Sequence, residues 1–163
     1  MKYKEITENI LKINKKDYKI IKQQYYKDKN GNRYNVDGKK VILDPSEKEI
    51  QVAKIIGGIY GGKVKIIPRV SYPLGIKTPD YIIGNERFDL KQISGSGKYV
   101  IEGNLKKKQE QANNFVIDIT QSQIGIEEVE KQINSIYISK RYRWVDKILI
   151  IKEDKLIKVY QRK

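Results

Sequence analysis

Two residue types are missing from this chain, and each absence removes a class of chemistry. There is no cysteine in the 163 residues, so disulfides, cysteine-zinc sites and thiol nucleophiles are excluded. There is no histidine either. Nucleases that pair histidines as acid and base are therefore excluded, as are Ser-His-Asp triads in their usual form. A metal site built by these side chains must use oxygen ligands, which suits Mg²⁺ or Mn²⁺ better than Zn²⁺. No apolar run reaches the roughly 18 residues that a membrane-spanning helix needs, and no signal peptide is read at the start.

Positive charge is what the chain has in excess. It carries 34 Lys and Arg against 20 Asp and Glu, a formal net charge of +14. A low-GC genome is the ordinary alternative origin, because it enriches Lys, Ile, Asn and Tyr together. Whatever its origin, a field of that sign attracts polyanions such as nucleic acid.

Periodicity predicts an α/β fold with a mixed central β-sheet flanked by helices. Ile6, Ile10 and Ile13 are at helical spacing, and residues 1–35 are expected to form a helical arm or linker ahead of a domain over 36–163. Tyr34 to Leu43 alternates around Asp37-Gly38, a hairpin signal. Asp44-Pro45-Ser46-Glu47 predicts a capped helix start at Asp44. The helix then runs over 47–59 on a stripe of Ile50, Ala53, Ile56 and Ile59 or Tyr60, and Gly61-Gly62 stops it. A strand over 64–70 and a loop over 71–77 come next. Further on, a Lys- and Gln-rich helix is expected over 104–114, a strand over 115–119, a helix over 127–139 and a last hairpin over 147–161. One domain, acting as a monomer, is the expectation.

The chemistry concentrates between Thr78 and Lys91. Tyr81 to Ile83 and Arg87 to Leu90 are expected strands around a Gly84-Asn85 turn. In that register Ile83 pairs with Glu86, and counting back sets Asp80 opposite Asp89, with Cβ atoms roughly 5 Å apart. The strand period of two adds Lys91 to the same face. Two close carboxylates repel unless one is protonated or a cation lies between them. A divalent cation there would build a site for phosphodiester chemistry. The ordinary alternative is an amphipathic hairpin with a solvated charged face.

Pro79-Asp80 followed by Asp89-x-Lys91 resembles the PD-(D/E)xK nuclease signature, in which an upstream helix supplies another acid, here Glu49 or Glu47. Adding Glu49-x-x-x-Ala53, Gly61-Gly62-Lys63-Val64, Thr78-Pro79-Asp80-Tyr81, Lys108-Gln109-x-Gln111-Ala112 and Val116-Ile117-Asp118-Ile119-Thr120, the chain from about Val36 onward is similar to the C-terminal tRNase domains of CdiA contact-dependent growth inhibition toxins. That resemblance implies a metal-dependent RNase acting on tRNA and a dedicated immunity protein, expected to be acidic. It also implies delivery into a bacterial cytoplasm as the C-terminal part of a larger secreted or mobile-element protein. Asp80 and Asp89 would be metal ligands, and Glu49 a third ligand or the anchor of a coordinated water. Lys91 would act at the scissile phosphate, and the Leu90 carbonyl is within reach of the metal. With RNA, the 2′-hydroxyl is an alternative nucleophile to water.

Two basic clusters are candidate nucleic-acid contacts. Lys98, Lys106, Lys107 and Lys108 follow the hairpin, with Gln109 beside them. Lys140, Arg141 and Arg143 are interleaved with Tyr142 and Trp144. Thr120, at a strand end, is a further candidate, and Trp144 is expected to be a core anchor. A DNA endonuclease of restriction or repair type, and a non-catalytic nucleic-acid-binding module, are the alternative functions.

Overall fold

The computed structural model describes residues 2–12 and 16–163. In chain order the elements begin with strand β1 (Tyr3–Glu5), helix α1 (Thr7–Lys12) and strands β2 (Tyr18–Lys22), β3 (Tyr25–Lys27), β4 (Arg33–Asn35) and β5 (Val41–Ile42). Helix α2 (Glu47–Tyr60) and strands β6 (Gly62–Ile66), β7 (Arg69–Val70), β8 (Tyr81–Ile83) and β9 (Glu86–Gln92) come next. Helix α3 (Val100–Leu105), strand β10 (Asn114–Asp118), helix α4 (Ile126–Ile138) and strands β11 (Lys147–Lys152) and β12 (Lys155–Arg162) complete the chain. Eight of the strands belong to one mixed sheet, which gives the α/β class expected from periodicity. The chain divides into two units, and strand β9 runs through the division between Asp89 and Leu90.

In the first unit the strand order is β1-β12-β11-β10. β10 and β11 pair in parallel, from Asn114 with Lys147 to Asp118 with Ile151. Every residue of β10 is buried, as a parallel strand covered on both faces requires. The β11–β12 hairpin turns on Glu153 and Asp154, both at positive φ (52° and 60°). α4 buries Val129, Ile133, Ile136 and Tyr137, the stripe its 3.6-residue period predicts. β1 pairs antiparallel with β12, and Tyr3 stacks on Tyr137 at 4.8 Å.

In the second unit the order is β9-β8-β6-β2. β2 pairs in parallel with β6, from Tyr18 with Gly62 to Lys22 with Ile66, and α2 is the crossover helix between them. Residues 3–5 and 18–22, read from sequence within the arm, are thus sheet strands, and among the described residues there the helix is Thr7–Lys12. Ile13, the third member of the helical spacing, lies outside the described residues. β2 also seats on α2: a Cβ placed on Gly57 would lie 2.5 Å from the Tyr18 ring.

Several expectations are corrected. Asp37-Gly38 makes a turn, with three amides (Lys39, Lys40 and Val41) donating to the Asp37 carboxylate. No hairpin results, because β4 pairs with β3 and β5 with β7. The helix cap is Ser46 rather than Asp44. The Ser46 hydroxyl accepts from the Glu49 amide at 3.1 Å, and the Glu49 carboxylate accepts from the Ser46 amide at 3.4 Å. Asp44 instead pairs with Arg69. Gly61 ends the helix at φ 73° as expected. The strand expected over 64–70 divides into β6 and β7, with the prolyl residue Pro68 between them. The helix expected over 104–114 lies earlier, at Val100–Leu105. Ile101 and Leu105 supply its buried i, i+4 pair, whereas the Lys-Gln run has no apolar stripe to bury and turns at Lys107 (φ 63°).

Candidate functional site

The β8–β9 hairpin forms in the register read from sequence: Ile83 pairs with Glu86, Ile82 with Arg87 and Tyr81 with Phe88. Gly84 supplies the positive φ (60°) that the two-residue turn needs. Asp80, the next position back, is in a bend rather than on the ladder. Its amide donates to the Phe88 carbonyl and its carbonyl accepts from the Ile67 amide, both at 3.0 Å. The backbone of Asp80 is thereby held from two sides beside the start of β8.

Asp89 is 1% exposed, an unusual setting for a carboxylate, since burying a charge is costly unless its surroundings compensate. The pleat sends Phe88 and Asp89 to opposite faces of β9. Phe88 meets Tyr60 of α2, ring centroids 5.5 Å apart, so Asp89 belongs to the face turned away from that contact. Lys91, two residues further along the strand, shares the side of Asp89 and is half-buried.

Tyr81 links the hairpin to the helix. It is fully buried, and its hydroxyl donates to the Glu49 carbonyl at 2.6 Å. Burial pushes this phenol far above its ordinary range, and the charges of Asp80, Glu49 and Asp89 push it the same way. Burial and these charges favour the protonated hydroxyl, which donates to the Glu49 carbonyl. Sequence reasoning missed Tyr81, although its place directly after Pro79-Asp80 was in view. Arg87 was missed too. Its guanidinium donates to the Gln111 carbonyl (2.9 Å), the Glu110 carbonyl (3.3 Å) and the Tyr26 hydroxyl (2.9 Å), which pins the 110–112 segment.

A cation at this site would be held by oxygens alone. Among the described residues no group of three or more acidic side chains is gathered as a metal ion would gather them. The Glu49 carboxylate is engaged in capping its own helix, and Glu47 is exposed on the first turn. Of the acids proposed from sequence, that leaves Asp80 and Asp89 as candidate donors. Mg²⁺ is commonly held by one or two carboxylates while it keeps several waters.

The basic candidates fall into different places. Lys106, Lys107, Gln109 and Arg141 converge, with Tyr142 and Trp144, around one open hollow of about 350 Å³ in the first unit. Lys98 stands 5.7 Å over the Tyr99 ring and lines another hollow with Glu102 and Glu128. Arg143 lines a third with Lys2 and Arg162, and Lys108 is half-buried. Thr120 is occupied structurally: its hydroxyl donates to the Asp118 carboxylate and accepts from the Glu153 amide at 2.8 Å, tying the end of β10 to the last turn. Trp144 is half-buried rather than a core anchor. Its indole N–H donates to the Arg141 carbonyl at 3.1 Å, and its ring stands edge-on to Phe115 at 5.7 Å. The buried aromatic of that segment is Tyr142.

Fold and site together define a basic α/β domain that offers buried acid on one hairpin and exposed cations around an aromatic hollow. Residues 77–157 match the family described as the contact-dependent growth inhibition CdiA C-terminal domain. Among solved structures, the CdiA-CT/CdiI toxin and immunity complex from Burkholderia pseudomallei is similar. The identity is 24% and the TM-score 0.46, over 75% of this chain and 96% of that one. No curated protein sequence matches the chain. No described helix is long and apolar enough to cross a membrane.

Proposed function

We propose that this chain is the toxic effector part of a contact-dependent growth inhibition protein, an RNase that cuts phosphodiester bonds in tRNA with the help of Mg²⁺ or Mn²⁺. The observation that carries the reading is the hairpin: a family match spans residues 77–157, and within it Asp89 is 1% exposed on β9 with Lys91 two residues along the same side. The nuclease signature Pro79-Asp80…Asp89-x-Lys91 supplies the chemistry.

In this mechanism Asp80 and Asp89 would hold the cation, with the Leu90 carbonyl as a further candidate donor. The cation, when bound, supplies positive charge beside the reacting phosphate. Lys91 presents its ammonium to the phosphate oxygens as charge builds on them in the transition state. Glu49 orients the attacking group or completes the ligand set after leaving its cap. Tyr81, through its bond to the Glu49 carbonyl, keeps helix and hairpin in register. The exposed Lys106, Lys107 and Arg141 hold the nucleic-acid backbone. An immunity protein that blocks this surface would be acidic, matching the net charge of +14. The effector would act in a target cell's cytoplasm, delivered as the C-terminal part of a larger secreted protein.

The test is incubation of the purified protein with total tRNA in Mg²⁺, in Mn²⁺ or in chelator, with duplex DNA in parallel. Cleavage of tRNA in metal, its loss in chelator and intact DNA are expected. A 2′,3′-cyclic phosphate at the cut would identify the 2′-hydroxyl as nucleophile, and a 5′-phosphate would identify water. Cleavage of DNA in preference to tRNA makes the protein a DNA endonuclease. Binding without cleavage under all conditions makes it a non-catalytic module.

A further inference from the structure

The basic residues that converge in the first unit do so around an aromatic floor, and this is more than a phosphate grip needs. Lys106, Lys107, Gln109 and Arg141 line the hollow of about 350 Å³ together with Tyr142 and Trp144. Lys106, Lys107, Gln109 and Arg141 are exposed, whereas Trp144 is half-buried and held. Its indole N–H is bonded to the Arg141 carbonyl at 3.1 Å. Phe115 meets it edge-on at 5.7 Å, and Tyr142 lies tilted at 6.2 Å. An indole fixed on three counts at the wall of an open, cationic hollow costs little entropy when a flat ring settles on it. The volume is of the order a small planar ligand fills.

We infer that this hollow is a subsite for one unpaired nucleotide of the substrate: the base stacks on Trp144, Gln109 meets its polar edge, and Lys106, Lys107 and Arg141 hold the flanking phosphates. The inference rests on the reading that the substrate is nucleic acid and sharpens it to single-stranded or frayed segments. A base inside a duplex is already stacked on its neighbours and cannot offer its face to an indole. An acidic protein surface would meet the cations equally well but has no use for the aromatic floor.

Trp144 is the only tryptophan of the chain, so its fluorescence reports this one place. The experiment titrates the full-length protein, in chelator, with a single-stranded hexaribonucleotide, its blunt duplex and heparin, a polyanion without bases. Saturable quenching by the single strand is expected, with little change from duplex or heparin. Trp144→Ala should weaken single-strand binding, followed by anisotropy, by about ten- to a hundredfold. Trp144→Phe, which keeps a ring, should recover most of it and guards against a folding defect. Equal quenching by heparin, or by the duplex, overturns the inference, as does anisotropy showing saturated binding with no quenching. The outcomes separate from those of the catalytic reading. Quenching retained in a protein that never cleaves leaves the subsite standing and removes the nuclease, whereas tRNA cleavage with no quenching does the reverse.

Discussion

Asp89 and Lys106 carry opposite charges in opposite settings. Asp89 is 1% exposed on a strand locked by its neighbours, while Lys106 is exposed at the end of a six-residue helix. The first charge is buried on a rigid strand, where the surrounding structure fixes its position, as catalytic geometry requires. The second is solvated and adjustable, which costs little and suits a backbone that is gripped at many points. Under the proposed function, burial would sort residues that act at the chemistry from residues that hold the substrate, and each half of that sorting can be broken separately.

The largest effect should come from the buried half. Asp80→Asn or Asp89→Asn should lower tRNA cleavage by roughly a thousandfold or more, the scale of several kcal/mol of charge stabilisation. Circular dichroism should be unchanged. Wild-type cleavage by either variant removes the hairpin from the mechanism.

Next comes the split between Lys91 and the exposed lysines. Lys91→Ala should cut the single-turnover rate by about a hundred- to a thousandfold, with affinity little changed. The Lys106→Ala, Lys107→Ala double variant should leave the saturated rate intact, weaken binding and reduce the slope of log affinity against log salt by about two. If Lys91→Ala loses affinity but cleaves normally at saturation, burial does not sort the roles.

The smallest effect tests how the buried half is held. Tyr81→Phe removes the hydroxyl that joins the hairpin to the Glu49 carbonyl and should lower unfolding free energy by about 1 kcal/mol, read by denaturant titration. A larger loss of cleavage than of stability would show that the Tyr81 hydroxyl positions the acids.

Much of this was legible in the sequence where the signal was local. The β8–β9 register followed from Gly84-Asn85 because a two-residue turn fixes the pairs beside it. The stripe of α4 followed from its period, since Val129, Ile133, Ile136 and Tyr137 share one face. What failed depended on distant partners. Asp37-Gly38 turns as expected, yet its flanking strands pair with β3 and β7 instead of each other. Asp44 looked like a helix cap until Arg69, 25 residues on, took it. The convergence of Lys106, Lys107 and Arg141 with Trp144 on one hollow had no sequence signal, because the two lysines lie more than thirty positions from Arg141 and Trp144 and meet them only through the fold.

The seat of Tyr18 over Gly57 has a consequence for where this protein can be shortened. Alanine for glycine is a common way to stiffen a helix, but here a methyl group at 57 would lie 2.5 Å from the Tyr18 ring and would lever β2 off the helix. The same fit works in reverse. A chain cut at Val36 would leave β6 without its parallel neighbour, with unpaired amides and carbonyls along the edge and a vacated groove beside Gly57. Bare edges of that kind recruit strands from other molecules. The segment that resembles an arm in sequence is, in this respect, the outer strand of the sheet.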